Sequence, residues 1–582
     1  MKNIIFAGAS IIALAAAAPA FSQSNSSTVS QTGTDNSASV SQPGSTNTSE
    51  LDQNGVPLDA VANEATVTQE GAGGFSDIDQ DGDNQATVTQ TSTSVGMSSQ
   101  ITQANGGGAS NSATVTQGGF GGGQGSGTGS VISQTGTGGS ANVTQTDLTT
   151  LATSTIDQSG ANGIASVSQD NGDMASAMIV QSGDDETASV TQVGALHSAT
   201  ITQSGSSNQA TASQDGFDHS ANIGQGATGN LATTVQTGSG NALDVSQTAD
   251  ANTASVTQSG SNGEVEIDQD GTDGNATVTQ LGEGQDAFVT QSGFDQTVSI
   301  FQDVDTTLSQ VRVDQSGSFH NATINQTGVT TSSFAVTTVD LEQSGDNNTA
   351  QIDQSGDYIR WAGGTNLSRS VAPGVNLIQS GSDNFADIDQ PGDSSLMSFS
   401  QTGMNSSLIA TQGGENNALN GFQSGSDNTI TTDQSTTGPA LSTILIFQLG
   451  NSNRINATQD GTGTGDGYGS PKLHVSQHNI GNVSISTQSG QGDIAFVTQI
   501  GASNNSTVSQ LAGGIDNEAD IDQNGSDGVS ELTQSGEDNF ARLLQNGSFN
   551  NAFVAQGGIG DVSTVTQSGS NNTATVNQNI GP

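Results

Sequence analysis

Few side chains in this 582-residue sequence could do chemistry, and the histidines are the first candidates. His197, His219 and His320 each stand six residues before a glutamine, and the first two belong to neighbouring repeats. Two stacked imidazoles could bind a metal ion. Alternatively, each histidine replaces the asparagine that usually occupies this position and keeps its hydrogen-bonding role. We expect the second arrangement, so the sequence predicts no metal site and no cofactor.

Paired carboxylates are the second group of candidates. Alternation along a strand would place both members of each pair on one outer face. Stacked carboxylates could bind calcium, or they could be solvated charges that limit aggregation. We expect solvated charges. The pairs lie in Asp77-Ile78-Asp79, Asp387-Ile388-Asp389 and Asp520-Ile521-Asp522.

Catalysis and nucleic-acid binding are not expected. The serines have no obvious partner base, because the histidines occupy repeat positions. The carboxylates recur on repeated faces and do not form one pair in a cleft. The chain has no cysteine, which excludes disulfides and thiolate metal sites. With seven basic residues and a formal net charge of −49, it lacks the positive surface that nucleic acids require.

All these residues are positioned by one repeat of eleven residues. From Gln181 to Gln302, glutamine recurs at every eleventh position. The residue two before it is usually Val or Ile, the residue four before is small or apolar, and an amide is common six before. This period of two predicts a β-strand whose inner face carries the amide, Ala, Val and Gln. Sequences such as SG and DG after each glutamine predict turns.

The repeat predicts an all-β fold, a β-solenoid with two eleven-residue strand units in each coil of about 22 residues. Each strand would stack in register on an equivalent strand of the next coil, as in amyloid-like cross-β structure. Columns of Gln and Asn side chains would hydrogen-bond from coil to coil, and we call these columns the amide ladders.

Threonine pairs recur on the predicted outer face. Examples are Thr66 with Thr68 and Thr114 with Thr116. Such pairs are typical of ice-binding solenoids, which need a flat and unbroken threonine face. Serine and aspartate interrupt the threonines in this sequence, so ice binding is not expected.

Residues 1–22 are expected to form a cleaved secretory signal peptide. Lys2 precedes the apolar run 4–17, and small residues follow around Ala20. The mature chain would begin at Phe21 or Gln23, be exported and contain no transmembrane segment. Residues 23–582 are expected to form one continuous repeat array. Its looped excursions are predicted near 54–62, 118–130, 327–338, 356–377 and 460–472.

The longest excursion, 356–377, contains the single tryptophan of the chain, Trp361, with Tyr358 and Arg360 beside it. Trp, Tyr and Arg are frequent interface anchors. This segment is therefore either a recognition loop or an ordinary insertion that the repeat tolerates, and we expect the second.

The unit Gln-x4-Asn-x5-Gln resembles the curlin repeat of bacterial curli subunits. The same spacing recurs over nearly the whole chain after residue 22. The residues that complete the unit are the expected structural ladder. They are Gln31, Asn36, Gln42, Gln203, Asn208, Gln214, Gln247, Asn252, Gln258, Gln448, Asn453, Gln459, Gln545, Asn550, Gln556, Gln567, Asn572 and Gln578.

The resemblance implies an exported subunit that polymerises into extracellular amyloid fibres for adhesion and biofilm matrix, in a Gram-negative type of cell. It implies as partners other copies of the chain, a related nucleating subunit and an outer-membrane secretion pore. This chain is much longer and richer in Asp than familiar curlin subunits. Its role as major subunit or nucleator therefore stays open. The alternative is a monomeric secreted β-solenoid adhesin that displays its insertion loops.

Overall fold

The computed structural model describes residues 24–55, 63–91, 95–105, 108–118, 129–146, 151–171, 173–328, 337–355, 374–393, 395–438, 441–462 and 471–578. These residues form strands and turns, and none of them belongs to a helix that could cross a membrane. The predicted signal peptide, Trp361 and most of the predicted loops lie outside the described residues. The chain divides into two compact units, Met1–Asp273 and Gly274–Pro582.

The first unit contains two parallel sheets, one of odd-numbered and one of even-numbered strands. The odd sheet contains β1 (Ser26–Thr32), β3 (Thr48–Asn54), β5 (Phe75–Asp81), β7 (Ser98–Ala104), β9 (Gly129–Gln134), β11 (Thr153–Gln158), β13 (Ser176–Gln181), β15 (Ser198–Gln203), β17 (Ser220–Gln225), β19 (Ala242–Gln247) and β21 (Glu264–Gln269). The even sheet contains β2 (Ser37–Ser41), β4 (Glu64–Gln69), β6 (Gln85–Gln90), β8 (Ser112–Gln117), β10 (Ser140–Thr146), β12 (Ile164–Asp170), β14 (Thr187–Ala195), β16 (Gln209–Phe217), β18 (Leu231–Ser239) and β20 (Thr253–Gln258).

The second unit is built in the same way. Its even sheet contains β22 (Asn275–Gln280), β24 (Thr297–Gln302), β26 (Asn321–Gln326), β28 (Thr349–Gln354), β30 (Phe385–Gln390), β32 (Ser407–Gln412), β34 (Thr429–Gln434), β36 (Arg454–Gln459), β38 (Val483–Gln488), β40 (Asn505–Gln510), β42 (Val529–Gln534), β44 (Asn551–Gln556) and β46 (Thr573–Gln578). Its odd sheet contains β23 (Asp286–Phe294), β25 (Ser309–Ser318), β27 (Thr337–Asp346), β29 (Gly374–Ser382), β31 (Leu396–Met404), β33 (Asn417–Ser426), β35 (Ser442–Asn451), β37 (Lys472–Ile480), β39 (Ile494–Ala502), β41 (Glu518–Ser526), β43 (Phe540–Ser548) and β45 (Val562–Ser570).

Within each unit, neighbouring strands of a sheet are two places apart along the chain and pair in register. In the odd sheet, β15 lies beside β17 with Gln203 opposite Gln225. In the even sheet, β14 lies beside β16 with Gln192 opposite Gln214. One coil therefore consists of two consecutive strands, one in each sheet. This arrangement confirms the predicted β-solenoid with coils of about 22 residues.

The core lies between the two sheets and is filled by the inward side chains of the strands, least completely at β1 and β46. In β15, Ala199, Ile201 and Gln203 are buried, while Ser198, Thr200 and Thr202 point outward. The alternation follows from the period of two, because successive side chains of a strand point to opposite faces. Ala and Ile supply the apolar contacts of each coil.

The turns require residues with a positive φ angle. Gly216 has a φ of 130°, and a Cβ atom there would lie 2.1 Å from the carbonyl oxygen of Gly238 in the next coil. Glycine is therefore needed for close stacking as well as for the backbone conformation. The residue just before the asparagine position is also left-handed, for example Asp218 with a φ of 60°. Asp, Asn and Gly tolerate this conformation best.

Candidate functional site

The glutamines link neighbouring coils and also link the two sheets. Gln203 donates one side-chain N–H to Oε1 of Gln225 at 2.8 Å, along the stack. It donates the other to the carbonyl oxygen of Thr187 at 3.0 Å, across to the opposite sheet. Loss of either bond would destabilise the fold, because no water molecule could replace the missing partner of the buried amide. Each glutamine of this kind therefore connects its strand both to the next coil and to the opposite sheet.

The structure places the other predicted glutamines in the same ladders. Gln258 accepts from Gln236 at 2.9 Å and donates to the carbonyl of Ala242. Gln567 accepts from Gln545, and Gln578 accepts from Gln556, each at 2.9 Å. Coil-to-coil donation is seen from Gln31 to Gln53 (2.7 Å), Gln42 to Gln69 (2.7 Å), Gln214 to Gln236 (2.9 Å), Gln247 to Gln269 (2.8 Å), Gln448 to Gln477 (3.0 Å) and Gln459 to Gln488 (2.8 Å).

The asparagines close the turns. Asn208 donates to the carbonyl oxygens of Ser204 (3.0 Å) and Ala227 (3.2 Å), and its Oδ1 accepts the backbone N–H of Asn230 at 3.0 Å. One side-chain amide thus provides hydrogen-bond partners for backbone groups of its own turn and of the next coil. Asn252 donates to the carbonyl three residues earlier. Donation to the carbonyl four residues earlier is made by Asn36, Asn453, Asn550 and Asn572.

His197 and His219 stack as neighbours in the asparagine column. Their ring centroids lie 5.2 Å apart and the rings are nearly parallel. Nδ1 of His197 accepts the backbone N–H of His219 at 3.3 Å, and its Nε2 lies 2.9 Å from the carbonyl of Val193. This pattern requires a neutral ring that is protonated on Nε2. Both ring nitrogens are therefore engaged, and neither presents a lone pair to a metal ion.

His320 repeats this geometry, with Nδ1 accepting the backbone N–H of Asn348 at 3.2 Å. Burial lowers the pKa of all three imidazoles, His197, His219 and His320. The described part of the chain contains no group of three or more His, Cys, Asp or Glu side chains that could hold a metal. The histidines thus occupy the hydrogen-bonding position expected for them.

Sequence reasoning missed a buried carboxyl in the same column. Asp493 is 0% exposed. Its Oδ1 accepts the backbone and side-chain N–H groups of Asn517, each at 3.1 Å. Its Oδ2 has no hydrogen-bond partner among the described residues. Burial raises the pKa of this carboxyl to about 6. The available signal was its spacing, since Asp493 stands six residues before Gln499 where asparagine is usual.

The paired carboxylates point outward, as expected. Burial and then the neighbouring Asp52 raise the pKa of Asp79. Burial and then Asp522 also raise the pKa of Asp520, while Arg542 lowers it. The Arg542 guanidinium lies 3.3 Å from Asp520 and 3.6 Å from Asp522. These partly exposed ion pairs contribute little stability.

An aromatic cluster on the outer face of the odd sheet in the second unit was also missed. The ring of His474 lies between Phe447 and Phe496, with centroid distances of 5.7 Å and 6.2 Å. Phe447 and Phe496 are each more than a third exposed. The three residues lie far apart in sequence and are brought together by the stacking of β35, β37 and β39. The sequence signal for this cluster was the position of each residue, one or three before a glutamine, which places its side chain on the outer face.

The expectation that aspartates interrupt the threonine pairs is wrong for the even sheet of the first unit. Thr66 and Thr68 of β4 lie beside Thr87 and Thr89 of β6. The aspartates that separate these pairs in sequence, such as Asp77, lie in the odd sheet. Serine does replace threonine at other positions of the same face.

The two parallel sheets and the amide ladders between them define a class of repeat protein, the β-solenoid. A family model, the curlin associated repeat, matches residues 198–226, 238–271 and 536–579. These three segments contain curlin repeats, which confirms the resemblance drawn from Gln-x4-Asn-x5-Gln. The curlin repeat family is structural and extracellular. A comparison with curated proteins finds no match.

Proposed function

We propose that this chain is a secreted structural subunit that assembles into extracellular curli-like amyloid fibres for adhesion and biofilm matrix. The observation that most supports this proposal is that neighbouring coils stack through the same set of contacts along the chain. They combine in-register backbone pairing with glutamine-to-glutamine donation, as between β43 and β45. A coil from a second copy could therefore continue the stack without new geometry.

A following coil buries the inner face of the strand before it, as a comparison of β44 with β46 illustrates. In β44, Val554 and Gln556 are 3% and 2% exposed. In β46, Val576 and Gln578 occupy the same positions but are only half-buried. A further coil would cover them and remove apolar surface from water.

Net charge opposes assembly. Stacked carboxylates about 4.8 Å apart repel one another by roughly 1 kcal/mol in water. Salt or mild acid should therefore shorten the lag before fibres form. We expect seeds made from preformed fibres to abolish the lag, because they offer finished strand edges.

The test is thioflavin fluorescence and electron microscopy of the purified mature chain, with and without seeds. Val576→Asp places a charge on the inner face of β46, and Thr575→Asp places the same charge on its outer face. We expect the first variant to delay fibres strongly and the second only slightly. A chain that stays monomeric for days, even with salt and seeds, would instead be the solitary β-solenoid adhesin.

Export is a separate part of the proposal. It rests on the sequence of residues 1–22 and on the extracellular character of the curlin repeat family. Mass spectrometry of extracellular material should find a chain that begins at Phe21 or Gln23. An extracellular chain that retains Met1 would contradict cleavage of the signal peptide, but it would leave the result of the assembly test unaffected.

A further inference from the structure

The two sheets of the first unit differ in the chemistry of their outer faces. In each strand, the residues three and one before the glutamine position point outward and form two central columns along the sheet. In the even sheet, serine or threonine occupies these columns in β2 to β20, except at Asn142 and Val235, and none of these side chains is buried. We call this surface the hydroxyl face. Its residues are Ser39, Ser41, Thr66, Thr68, Thr87, Thr89, Thr114, Thr116, Asn142, Thr144, Ser166, Ser168, Ser189, Thr191, Thr211, Ser213, Thr233, Val235, Ser255 and Thr257.

The opposite face of the same unit is acidic. The equivalent columns of the odd sheet carry Glu50, Asp52, Asp77, Asp79, Asp157, Asp244, Glu266 and Asp268. On the even sheet, the carboxylates of the described residues lie outside the two central columns, at Glu64, Glu70, Asp170 and Asp215 and in adjoining turns at Asp35, Asp83, Asp184, Asp185, Asp218 and Asp250. In a chain with a net charge of −49, the hydroxyl face is thus a broad uncharged surface.

We propose that the hydroxyl face pairs with the same face of a second copy of this chain. Ten strands at a spacing of about 4.8 Å, each about 20 Å long, give the even sheet of the first unit an outer surface on the order of 850 Å², with the hydroxyl face as its centre. A stable protein interface buries about 800 Å² on each partner. The hydroxyl face together with its margins therefore reaches the size of a specific contact without the second unit. The pairing would be two-fold, because one surface meets its own copy.

Charge and chemistry both favour a second copy as the occupant. Pairing of two odd-sheet faces would bring carboxylates against carboxylates, whereas two hydroxyl faces meet without charge. Each hydroxyl both donates and accepts a hydrogen bond, so the face is complementary to itself. Short side chains let two sheets approach closely and interdigitate, as in a steric zipper. This side-by-side contact does not require end-to-end fibre growth and goes beyond the function proposed above.

The chain has no cysteine, so a single introduced thiol reports on one position. Ser166→Cys lies in β12, near the middle of the hydroxyl face, and the matched control Thr200→Cys lies on the outer face of β15. Both full-length mature proteins are oxidised without seeds, before fibres appear. We expect disulfide-linked dimers to form at least about tenfold faster for Ser166→Cys, because pairing raises the local thiol concentration. Equal rates would overturn the proposal.

A second pair of variants tests the charge argument. Thr144→Asp, Ser168→Asp and Thr191→Asp together add three carboxylates to the hydroxyl face. The control, Thr155→Asp, Thr200→Asp and Thr202→Asp, adds the same charge to the odd sheet.

By sedimentation velocity, we expect wild type and control to dimerise, and the hydroxyl-face variant to dimerise about tenfold more weakly. Three monomeric proteins, or equal dimerisation of all three, would overturn the proposal. So would monomers whose adhesion to a polysaccharide-coated surface is lost only in the hydroxyl-face variant, because the face would then belong to another partner. Thioflavin kinetics of the same proteins report separately on end-to-end assembly.

Discussion

Phe399 fills the space that Gly421 leaves in the next coil. The two residues lie opposite each other in β31 and β33, and Phe399 is only 2% exposed. A Cβ atom on Gly421 would lie 1.8 Å from Cε2 of Phe399. Val or Ile usually occupies this inner position, so the large and the absent side chain compensate for each other in volume.

We therefore predict that Gly421→Val locally destabilises the solenoid by about 1–3 kcal/mol through overpacking. Phe399→Val combined with Gly421→Val should restore the usual pair of branched residues and recover most of that loss. Hydrogen exchange of peptides covering β31 to β35 measures the effect locally, which suits a repeat protein that does not unfold in one step. If the double variant exchanges as fast as Gly421→Val, the two residues are not coupled.

The glutamine ladder can be tested within one strand. Gln214 accepts from Gln192 and donates to Gln236, both at 2.9 Å, whereas Gln209 at the start of the same strand is exposed. Gln214→Leu should cost about 1–3 kcal/mol locally, because the buried amides of Gln192 and Gln236 in the two adjacent coils each lose one hydrogen bond. Gln209→Leu, the matched control, should change protection little. Similar hydrogen exchange in β14 to β18 of both variants would rule out a stabilising role for the ladder.

Asp493 should make its coil sensitive to pH. Its folded pKa of about 6 lies above the ordinary aspartate value of 3.8, so its stabilising contribution is complete below pH 3.8 and is lost as the pH rises through 6. The difference corresponds to about 3 kcal/mol at pH 7, as an upper limit. Asp493→Asn should therefore increase local protection at pH 7 and have little effect near pH 4.

The control for this prediction is Asp516→Asn, which removes an exposed charge that contributes weakly to the raised pKa of Asp493 and does not restore the amide column. Limited proteolysis between β37 and β41, at both pH values, compares the three proteins. A control variant as stabilising as Asp493→Asn at pH 7 would assign the effect to general charge reduction.

The stacked histidines should have the opposite pH dependence from Asp493: their coils should lose stability as the pH falls. Burial lowers the folded pKa of His197 and His219, and for His219 the neighbouring His197 lowers it further. A group with a lowered pKa of this kind contributes stability above the unfolded value of about 6.5, and this stability is lost as the pH falls. Protonation would also place a proton on Nδ1, where a backbone N–H of the next coil now donates.

Replacement of both histidines by asparagine should therefore increase protection of β13 to β19 at pH 5 and leave it nearly unchanged at pH 7. Acid also neutralises carboxylates, so the comparison is between variant and wild type at each pH. His320→Asn provides a single-ring control and should show a smaller effect, because it has no stacked second ring. Identical pH profiles for all three proteins would contradict the prediction.

Much of the fold follows from the sequence because its determinants are local. The alternation Ala, Ile and Gln at 199, 201 and 203 specifies one buried face of a strand wherever that strand lies. The amide six residues before the glutamine marks a turn, because its side chain bonds to a carbonyl four residues earlier, as Asn208 does to Ser204. His197 and His219 also stand six residues before a glutamine, and this spacing predicted their place in the asparagine column.

The partners across coils depend on stacking and do not follow from a fixed spacing. Gln343 donates to Gln379 at 2.8 Å although 36 residues separate them, because the insertion between them leaves the register unchanged. The compensation of Phe399 by Gly421, the unpartnered oxygen of Asp493 and the cluster around His474 arise in the same way. Each depends on the identity of a residue in the adjacent coil.

The sequence by itself determined the strands, their inner faces and the ladder positions, because side-chain alternation and turn preferences act within eleven residues. Only the tertiary structure decided which outer residues share a surface. Consecutive repeats lie in opposite sheets, so Thr66 has Thr87 as its neighbour while Asp77, between them in sequence, lies on the other side of the solenoid. The uncharged face and the acidic face of the first unit exist because the coil separates alternate repeats.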